Sequence, residues 1–181
     1  MAQSPVSFLQ DQFTDPYKTP PHSIESEQSV LGGLMLDNDA WEKVADIITE
    51  ADFYRYDHRL IYQHICKLIE QSKPADVITV AESLETSAEL QTVGGLAYIG
   101  TMVQNTPSAA NIKRYAEIVR ERSIMRNLAQ IGVQITDSAY NPVGRSAADL
   151  LDEAEAKVFE IAEEGARGKE GFVGIQPLLK Q

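Results

Sequence analysis

Cysteine and long apolar runs are scarce in this sequence. Cys66 is its single cysteine, so an internal disulfide is impossible, which is typical of proteins in a reducing cytosol. No apolar run approaches the roughly 20 residues needed to cross a bilayer. Residues 1–23 also lack the basic start and apolar block of a secretion signal. We therefore expect a cytoplasmic protein with no membrane partner.

Basic residues are in deficit. The 181-residue chain has 16 lysines and arginines against 27 aspartates and glutamates, which gives a net charge of -11. Proteins that hold nucleic acid by charge usually present a basic face. We therefore expect single-stranded DNA to bind weakly if at all, and the acidic balance favours protein partners.

Motifs for phosphate binding and nucleophilic catalysis are missing. The only Gly-Lys pair is Gly168-Lys169, followed by Glu170, so no G-x-x-x-x-G-K-[ST] loop is present. No serine lies in a G-x-S-x-G turn. We expect neither catalytic residues nor a bound cofactor in this chain. A small helical enzyme remains an alternative, but no polar groups converge to support it.

Two clusters of metal-ligating residue types are also present. His58 and His64 are six residues apart and fall on different faces of a helix, and neither C-x-x-C nor H-x-x-x-H accompanies Cys66. We interpret them as partly buried helix residues and expect no metal. The second cluster lies at a helix start, where capping is the better explanation. It comprises Asp37, Asp39 and Glu42.

Apolar periodicity predicts an all-α fold with four segments. Residues 1–22 are polar and contain prolines, which predicts a disordered N-terminal arm. Residues 23–106 carry short helical patterns and predict a globular head bundle, with Ser23, then Asn38 or Asp39, and Asp57 as helix caps. The β-branched stretch 77–84 could form a strand, but its helical continuation favours a short helix.

Residues 107–164 predict a long antiparallel helical hairpin. A helical pattern runs from Asn111 to about Ala139 and is broken around Pro142 and Gly144. Ser146 to Asp149 then match a capping box that opens a second helix. The apolar residues of that helix are spaced four and three apart, as in a coiled coil.

The first hairpin helix has apolar residues on more than one stripe, which a single partner helix cannot cover. We therefore predict that hairpins pair between two chains, around a two-fold axis. The alternative is a monomer whose hairpin folds back over the head. The predicted interface residues are Tyr115, Ile118, Val119, Ile124, Leu128, Ile131, Ile135, Leu151, Val158 and Ile161.

Residues 165–181 begin as a flexible linker. Glycine occurs four times within ten residues there, which is typical of a flexible connection. A new apolar pattern then starts at Ile175 and stops unfinished at the last residue. We expect its partner surface to lie outside this chain.

Three stretches together resemble the N-terminal domain of bacterial replicative DNA helicases, the DnaB family. The first is PPHSIESEQSVLGGLM, residues 20–35; the second is Phe53-Tyr54 followed by His58; and the third is GGLAYI, residues 94–99, leading into PSAANI at residues 107–112. Family members usually carry alanine where this chain has Ser26. The resemblance covers residues 20–181 in order.

The resemblance implies a hexameric helicase that uses ATP to unwind duplex DNA at the replication fork in the 5′ to 3′ direction. Its RecA-like motor, which holds ATP and Mg²⁺, would be absent from this chain, so the chain alone should be inactive. The N-terminal domain would form a collar of paired hairpins, a trimer of dimers, and would recruit primase and the helicase loader. The segment after the linker would dock on a neighbouring motor domain through Phe172, Ile175, Leu178 and Leu179.

A free-standing helical regulator that binds replication proteins is the main alternative function. The unfinished apolar pattern at the C-terminus argues against it, because a free-standing protein would normally bury such a surface.

Overall fold

The computed structural model describes residues 18–166, and all regular secondary structure within that range is helical. This confirms the all-α prediction. Six α-helices lie within the described range: α1 (Ile24–Leu36), α2 (Tyr56–Glu70), α3 (Val77–Thr86), α4 (Gly95–Gln104), α5 (Ile112–Tyr140) and α6 (Ala147–Ala166). Two 3-10 helices, Asn38–Lys43 and Glu50–Asp52, lie between α1 and α2.

Helix α1 runs through the centre of the head. The Ser23 side chain accepts a hydrogen bond from the Ser26 amide and caps the helix, as predicted. A Cβ at Gly32 would lie 2.2 Å from Thr106 Oγ1, and one at Gly33 would lie 3.1 Å from Ile112 Cδ1. The two glycines therefore let α1 approach the segments before and at the start of α5, a contact that larger residues would block.

One hydrophobic core fills the head. It includes residues from α1 to the first turns of α5, and its largest fully buried members are Tyr62, Phe53, Leu31, Leu34, Ile61, Ile65, Leu84, Ile99, Met102 and Ile112. The rings of Tyr62 and Phe53 lie 4.8 Å apart between centroids. The buried Tyr62 hydroxyl donates to the Ile48 carbonyl at 3.2 Å, so its polar end is satisfied.

The β-branched stretch that could have formed a strand is helix α3. Asp76 accepts hydrogen bonds from the Ile78 and Thr79 amides, each at 2.9 Å, while the Thr79 hydroxyl accepts from the Asp76 amide. This capping box provides the helix start that β-propensity alone did not indicate. The preference for helix over strand is confirmed.

Two predicted caps are corrected by the structure. Asp37, rather than Asn38 or Asp39, caps the first 3-10 helix, because its carboxylate accepts from the Asp39 amide at 3.1 Å. Asp57 lies inside the first turn of α2, where it accepts from the His58 amide. Asp57 still stabilises α2 in this position, because a carboxylate in the first turn of a helix interacts favourably with the helix dipole.

Helix α5 belongs to both the head and the hairpin. Ile112, Ala116 and Val119 are part of the head core, and Ser123 is the last buried residue of the helix. With 29 residues α5 is about 43 Å long. More than half of it therefore extends past the head.

A tight loop joins α5 to α6, which runs back antiparallel to it. Val143 and Gly144 have φ values of 50° and 77° in this loop. The Ser146 hydroxyl and the Asp149 carboxylate form the predicted reciprocal capping box, with Asp149 accepting from the Ser146 amide at 2.8 Å. The predicted long antiparallel hairpin is confirmed.

Candidate functional site, the outer face of the hairpin

The outer part of the hairpin lacks a covered core. No residue between Ile124 and Glu160 is buried. Several large apolar side chains in this part are exposed over roughly 40% or more of their surface. They are Met125 at 42%, Leu128 at 53%, Val133 at 39%, Tyr140 at 82%, Val143 at 85%, Leu151 at 70%, Val158 at 44% and Phe159 at 62%. We call this set the hairpin face.

The hairpin face is exposed because the head ends early along α5. The buried residues of α5 occur at intervals of four, three and four and stop at Ser123. Helix α6 packs on α5 and contributes one buried residue, Ile161. The alternative in which the hairpin folds back over the head does not fit this arrangement, since the outer half of the hairpin meets solvent.

A groove runs between the end of α5 and the start of α6. Its volume is about 390 Å³, and its walls are mostly apolar and partly built from alanines. The lining residues are Ile135, Ser138, Ala139, Ala147, Leu150, Leu151, Glu153, Ala154 and Lys157. Alanines along both helices keep the groove open, and the groove adjoins Leu151 of the hairpin face.

The predicted interface residues fall into four groups. Val119 and Ile161 are buried within one chain at 2% and 7% exposure, and therefore offer no free surface to a second copy. Tyr115 packs against the head core. Leu128, Leu151 and Val158 are exposed. The remaining four are half-buried: Ile118, Ile124, Ile131 and Ile135.

Several members of the hairpin face were missed by the sequence prediction. Tyr140 is the last residue of α5 and Val143 lies in the loop after it, where helical periodicity ends. Phe159 is off the four-three spacing that was used to choose residues in α6. The sequence did contain one signal for Phe159, because it is a large aromatic residue that lies outside the apolar stripe of its helix. The predicted linker-docking residues lie outside the described residues: Phe172, Ile175, Leu178 and Leu179.

Charged groups stabilise the tip of the hairpin. Glu153 pairs with Arg145 from the loop and accepts from Lys157 Nζ at 2.7 Å. The Lys157 hydrogen bond is the main factor that lowers the pKa of Glu153. Hydrogen bonds from the Ser146 hydroxyl and amide likewise lower the pKa of Asp149. The carboxylates are thus held in their charged form around the groove.

The two hairpin helices differ in charge. Helix α6 has seven acidic residues and one basic residue: Asp149, Asp152, Glu153, Glu155, Glu160, Glu163, Glu164 and Lys157. The basic residues of α5 all lie in its first half: Lys113, Arg114, Arg120, Arg122 and Arg126. The acidic helix borders the hairpin face, so that side of the face is negatively charged.

A buried polar chain in the head was not predicted. His58 Nδ1 donates to Glu27 Oε2 at 2.6 Å, and His58 Nε2 lies 2.8 Å from the Tyr98 hydroxyl, which also accepts from Gln28 at 3.1 Å. Glu27 Oε1 accepts from the Tyr54 amide at 2.6 Å. The order carboxylate, imidazole, hydroxyl resembles a proton relay.

This chain of groups is structural in character. The side chains of Glu27 and His58 are 2% and 0% exposed, so a substrate cannot reach the carboxylate or the imidazole. Its four members come from α1, α2 and α4. It therefore ties three helices together through satisfied polar groups.

His64 and Cys66 have ordinary structural surroundings. His64 lies 2.7 Å from the Ser83 hydroxyl and 2.9 Å from the Glu89 carboxylate. Burial raises the pKa of the Cys66 thiol to about 12, which leaves it protonated and unreactive. Within residues 18–166 no three histidine, cysteine or carboxylate side chains are grouped closely enough to bind a metal ion.

The helical head, the protruding hairpin and its uncovered apolar face together define an all-helical domain with exposed apolar surface. The profile of the DnaB-like helicase N terminal domain matches residues 19–121, and the chain belongs to that family. The match extends from the start of the head to the part of α5 that the head covers.

Relatives and solved structures agree with this assignment. The replicative DNA helicase DnaB of Haemophilus influenzae is 42% identical over 180 residues, covering 99% of this chain and 38% of the relative. The crystal structure of the N-terminal domain of DnaB helicase from Mycobacterium tuberculosis is similar with a TM-score of 0.75 at 36% identity, covering 78% of this chain and 99% of that one.

A more distant structure shares the fold. The N-terminal domain of DnaB helicase from Helicobacter pylori, described with its interactions with primase, has a TM-score of 0.55 at 21% identity and covers 77% of this chain and 100% of that one. The chain spans just over a third of the length of the curated relatives it matches. Among the described helices, none is both long and apolar enough to span a membrane.

Proposed function

We propose that this chain is the assembly and recruitment domain of a hexameric replicative DNA helicase. The observation that carries the proposal is the uncovered hairpin face in a chain of the DnaB family. The whole helicase would unwind duplex DNA at the replication fork by hydrolysing ATP with Mg²⁺ in its motor domain. The chain itself would supply protein contacts.

The first occupant of the hairpin face is the hairpin of a second copy. A self-complementary apolar face fits a two-fold axis, and three such pairs would close a hexameric collar as a trimer of dimers. Burying about 800 Å² of apolar surface would contribute on the order of 20 kcal/mol before the costs of association. The acidic α6 of one copy and the basic first half of α5 offer opposite charges that favour a defined pairing.

Primase and the helicase loader are the proposed external partners. Support for primase comes from the Helicobacter pylori domain, which shares this fold and is described with its interactions with primase. Pairing through the members of the hairpin face along the two helices would leave its two tip residues, Tyr140 and Val143, exposed for such a partner. Residues beyond α6 would connect the collar to a neighbouring motor domain.

The oligomeric state of the 181-residue chain tests the proposal. We expect sedimentation and light scattering at micromolar concentration to show a dimer or a larger species. Leu128→Glu places an isolated charge in the proposed seam and should weaken association by tenfold or more, since about 1.4 kcal/mol corresponds to a factor of ten.

Ile78→Glu is the matched control, because Ile78 is an apolar side chain of the head that is 64% exposed. It should leave association unchanged. A wild-type chain that stays monomeric at 100 μM, or a Leu128→Glu variant that associates like wild type, would contradict pairing through the hairpin face.

A further inference from the structure

Two arginines of α5 attach the hairpin to the head, and both bind the same residue. Arg120 Nη1 donates to Asp52 Oδ1 at 2.6 Å. Arg126 Nη2 donates to the Asp52 main-chain carbonyl at 2.5 Å. Asp52 is 2% exposed, and its second carboxylate oxygen accepts from the Thr49 amide at 2.8 Å. We call these three residues, Asp52, Arg120 and Arg126, the joint.

The joint also holds the N-terminal end of the described chain. Residues 18–23, which have no regular secondary structure, precede α1, and we call them the strap. Arg126 Nη1 donates to the Pro21 carbonyl at 2.9 Å, and the guanidinium lies 5.6 Å from the centre of the Tyr54 ring. His22 stacks on Tyr54 at 4.4 Å between ring centres. Burial lowers the pKa of Arg126, as expected for a partly desolvated guanidinium.

The joint holds the other end of the described chain as well. The second terminal nitrogen of Arg120 donates to the main-chain carbonyl of Glu164, in the last turn of α6. A Cβ at Gly165 would lie 3.4 Å from Ile124 Cδ1, so the backbone of α6 approaches α5 closely at this level. A single arginine side chain therefore links the strap to Asp52, and another links the end of α6 to the same residue.

We propose that the joint couples the two ends of the domain, so that the strap and the last turn of α6 become ordered or frayed together. Asp52 is placed by burial and by its hydrogen bonds with Thr49, Arg120 and Arg126. When the strap leaves Arg126, the guanidinium is less well oriented towards the Asp52 carbonyl. Asp52 is then aligned less well for Arg120, and Arg120 holds Glu164 less well. The coupling is reciprocal, because each end must influence the other by the same factor at equilibrium.

The inference concerns a single chain and does not depend on pairing between copies. A partner that binds residues before the strap would change the order of the α6 end, and a partner that binds residues after α6 would change the order of the strap. The joint would thereby connect contacts at the two ends that share no direct interaction.

Hydrogen exchange of individual amides in the 181-residue chain tests the coupling. Arg126→Lys keeps the charge but removes the planar fork that reaches both Pro21 and Asp52. We expect exchange of the α6 amides at residues 162–166 to rise about fivefold or more, the lower end of typical coupling between sites. Arg120→Lys should in turn raise exchange in residues 22–24.

Arg114→Lys is the matched control, since Arg114 lies on the same helix and pairs with Glu117 at the surface. His22→Ala is a second variant that perturbs the strap without touching α5. Exchange that rises in the strap but not at residues 162–166 in Arg126→Lys and His22→Ala would overturn the coupling. A uniform rise that includes the buried part of α2 in all variants would also overturn it, because the joint would then serve overall stability alone.

Discussion

The head and the outer hairpin are both helical, yet they reach stability in different ways. In the head, helices of 10 to 15 residues surround one core, and Val30, Leu31 and Leu34 of α1 are fully buried. In the outer hairpin, much longer helices bury none of the residues from Ile124 to Glu160. The head encloses its own hydrophobic core, whereas the outer hairpin leaves apolar side chains uncovered. Core packing, rather than helix length, therefore distinguishes the two regions.

The largest effect on the stability of the head is expected from a substitution in its buried polar chain. Glu27→Ala removes the acceptor of His58 Nδ1 and of the Tyr54 amide. Loss of one partner from a buried pair should lower the free energy of unfolding by about 3–5 kcal/mol. Urea denaturation monitored by circular dichroism measures it.

Glu25→Ala provides the control on the same helix, because Glu25 is exposed. Its effect should stay within about 0.5 kcal/mol. A loss of similar size in both variants would mean that the network contributes little beyond helix α1 itself.

A smaller effect on stability is expected when alanine replaces a glycine, and its sign should differ between Gly32 in the head and Gly132 in the outer hairpin. A Cβ at Gly32 would lie 2.2 Å from Thr106 Oγ1 and 3.0 Å from the Met102 carbonyl, whereas a Cβ at Gly132 would meet nothing within 4 Å. Gly32→Ala should lower the free energy of unfolding by about 1–3 kcal/mol through overpacking. Gly132→Ala should raise it by about 0.5–1 kcal/mol through helix propensity. Thermal unfolding of both variants measures the sign of each change in stability. Increased stability of Gly32→Ala would contradict the prediction, because it would show that the neighbours of α1 can move to accommodate a methyl group.

The smallest effect is expected at the hairpin tip and depends on pH. Asp149 and Glu153 have pKa values lowered in the folded chain, first by hydrogen bonds from Ser146 and Lys157 respectively. Their stabilisation is complete above the unfolded carboxyl pKa of about 4 and is lost as pH falls through the lower folded values. Protection of the amides in the first turn of α6, measured relative to intrinsic exchange at the same pH, should therefore fall below about pH 4. Asp149→Asn should flatten part of that dependence, and an unchanged profile in this variant would exclude Asp149 as its source.

The helices and the hairpin could be predicted from the sequence because they depend on local patterns. Ser23 and the Ser146–Asp149 box were identified as caps from residue type and spacing alone, and both are present. The choice of helix for the stretch around Val80 was also correct, although its β-branched residues favoured a strand. Capping at Asp76 explains why the helix wins.

Contacts between distant segments could not be predicted. The chain from Glu27 through His58 to Tyr98 joins residues 31 and 40 positions apart, and no local pattern marks such partners. The head also covers one side of α5 as far as Ser123, which placed Val119 in the core although periodicity assigned it to the interface. Exposure along a long helix depends on what packs beside it, which a single sequence does not specify.

At the end of α6, a charged side chain from one helix interacts with the dipole of another. Its last turn contains Glu163 and Glu164 and no basic residue, although the carbonyl end of a helix carries partial negative charge. Arg120, from the neighbouring helix, supplies the missing cation at the Glu164 carbonyl. The negative end of the α6 dipole is therefore balanced by a residue of α5, and this balance depends on the packing of the two helices against each other.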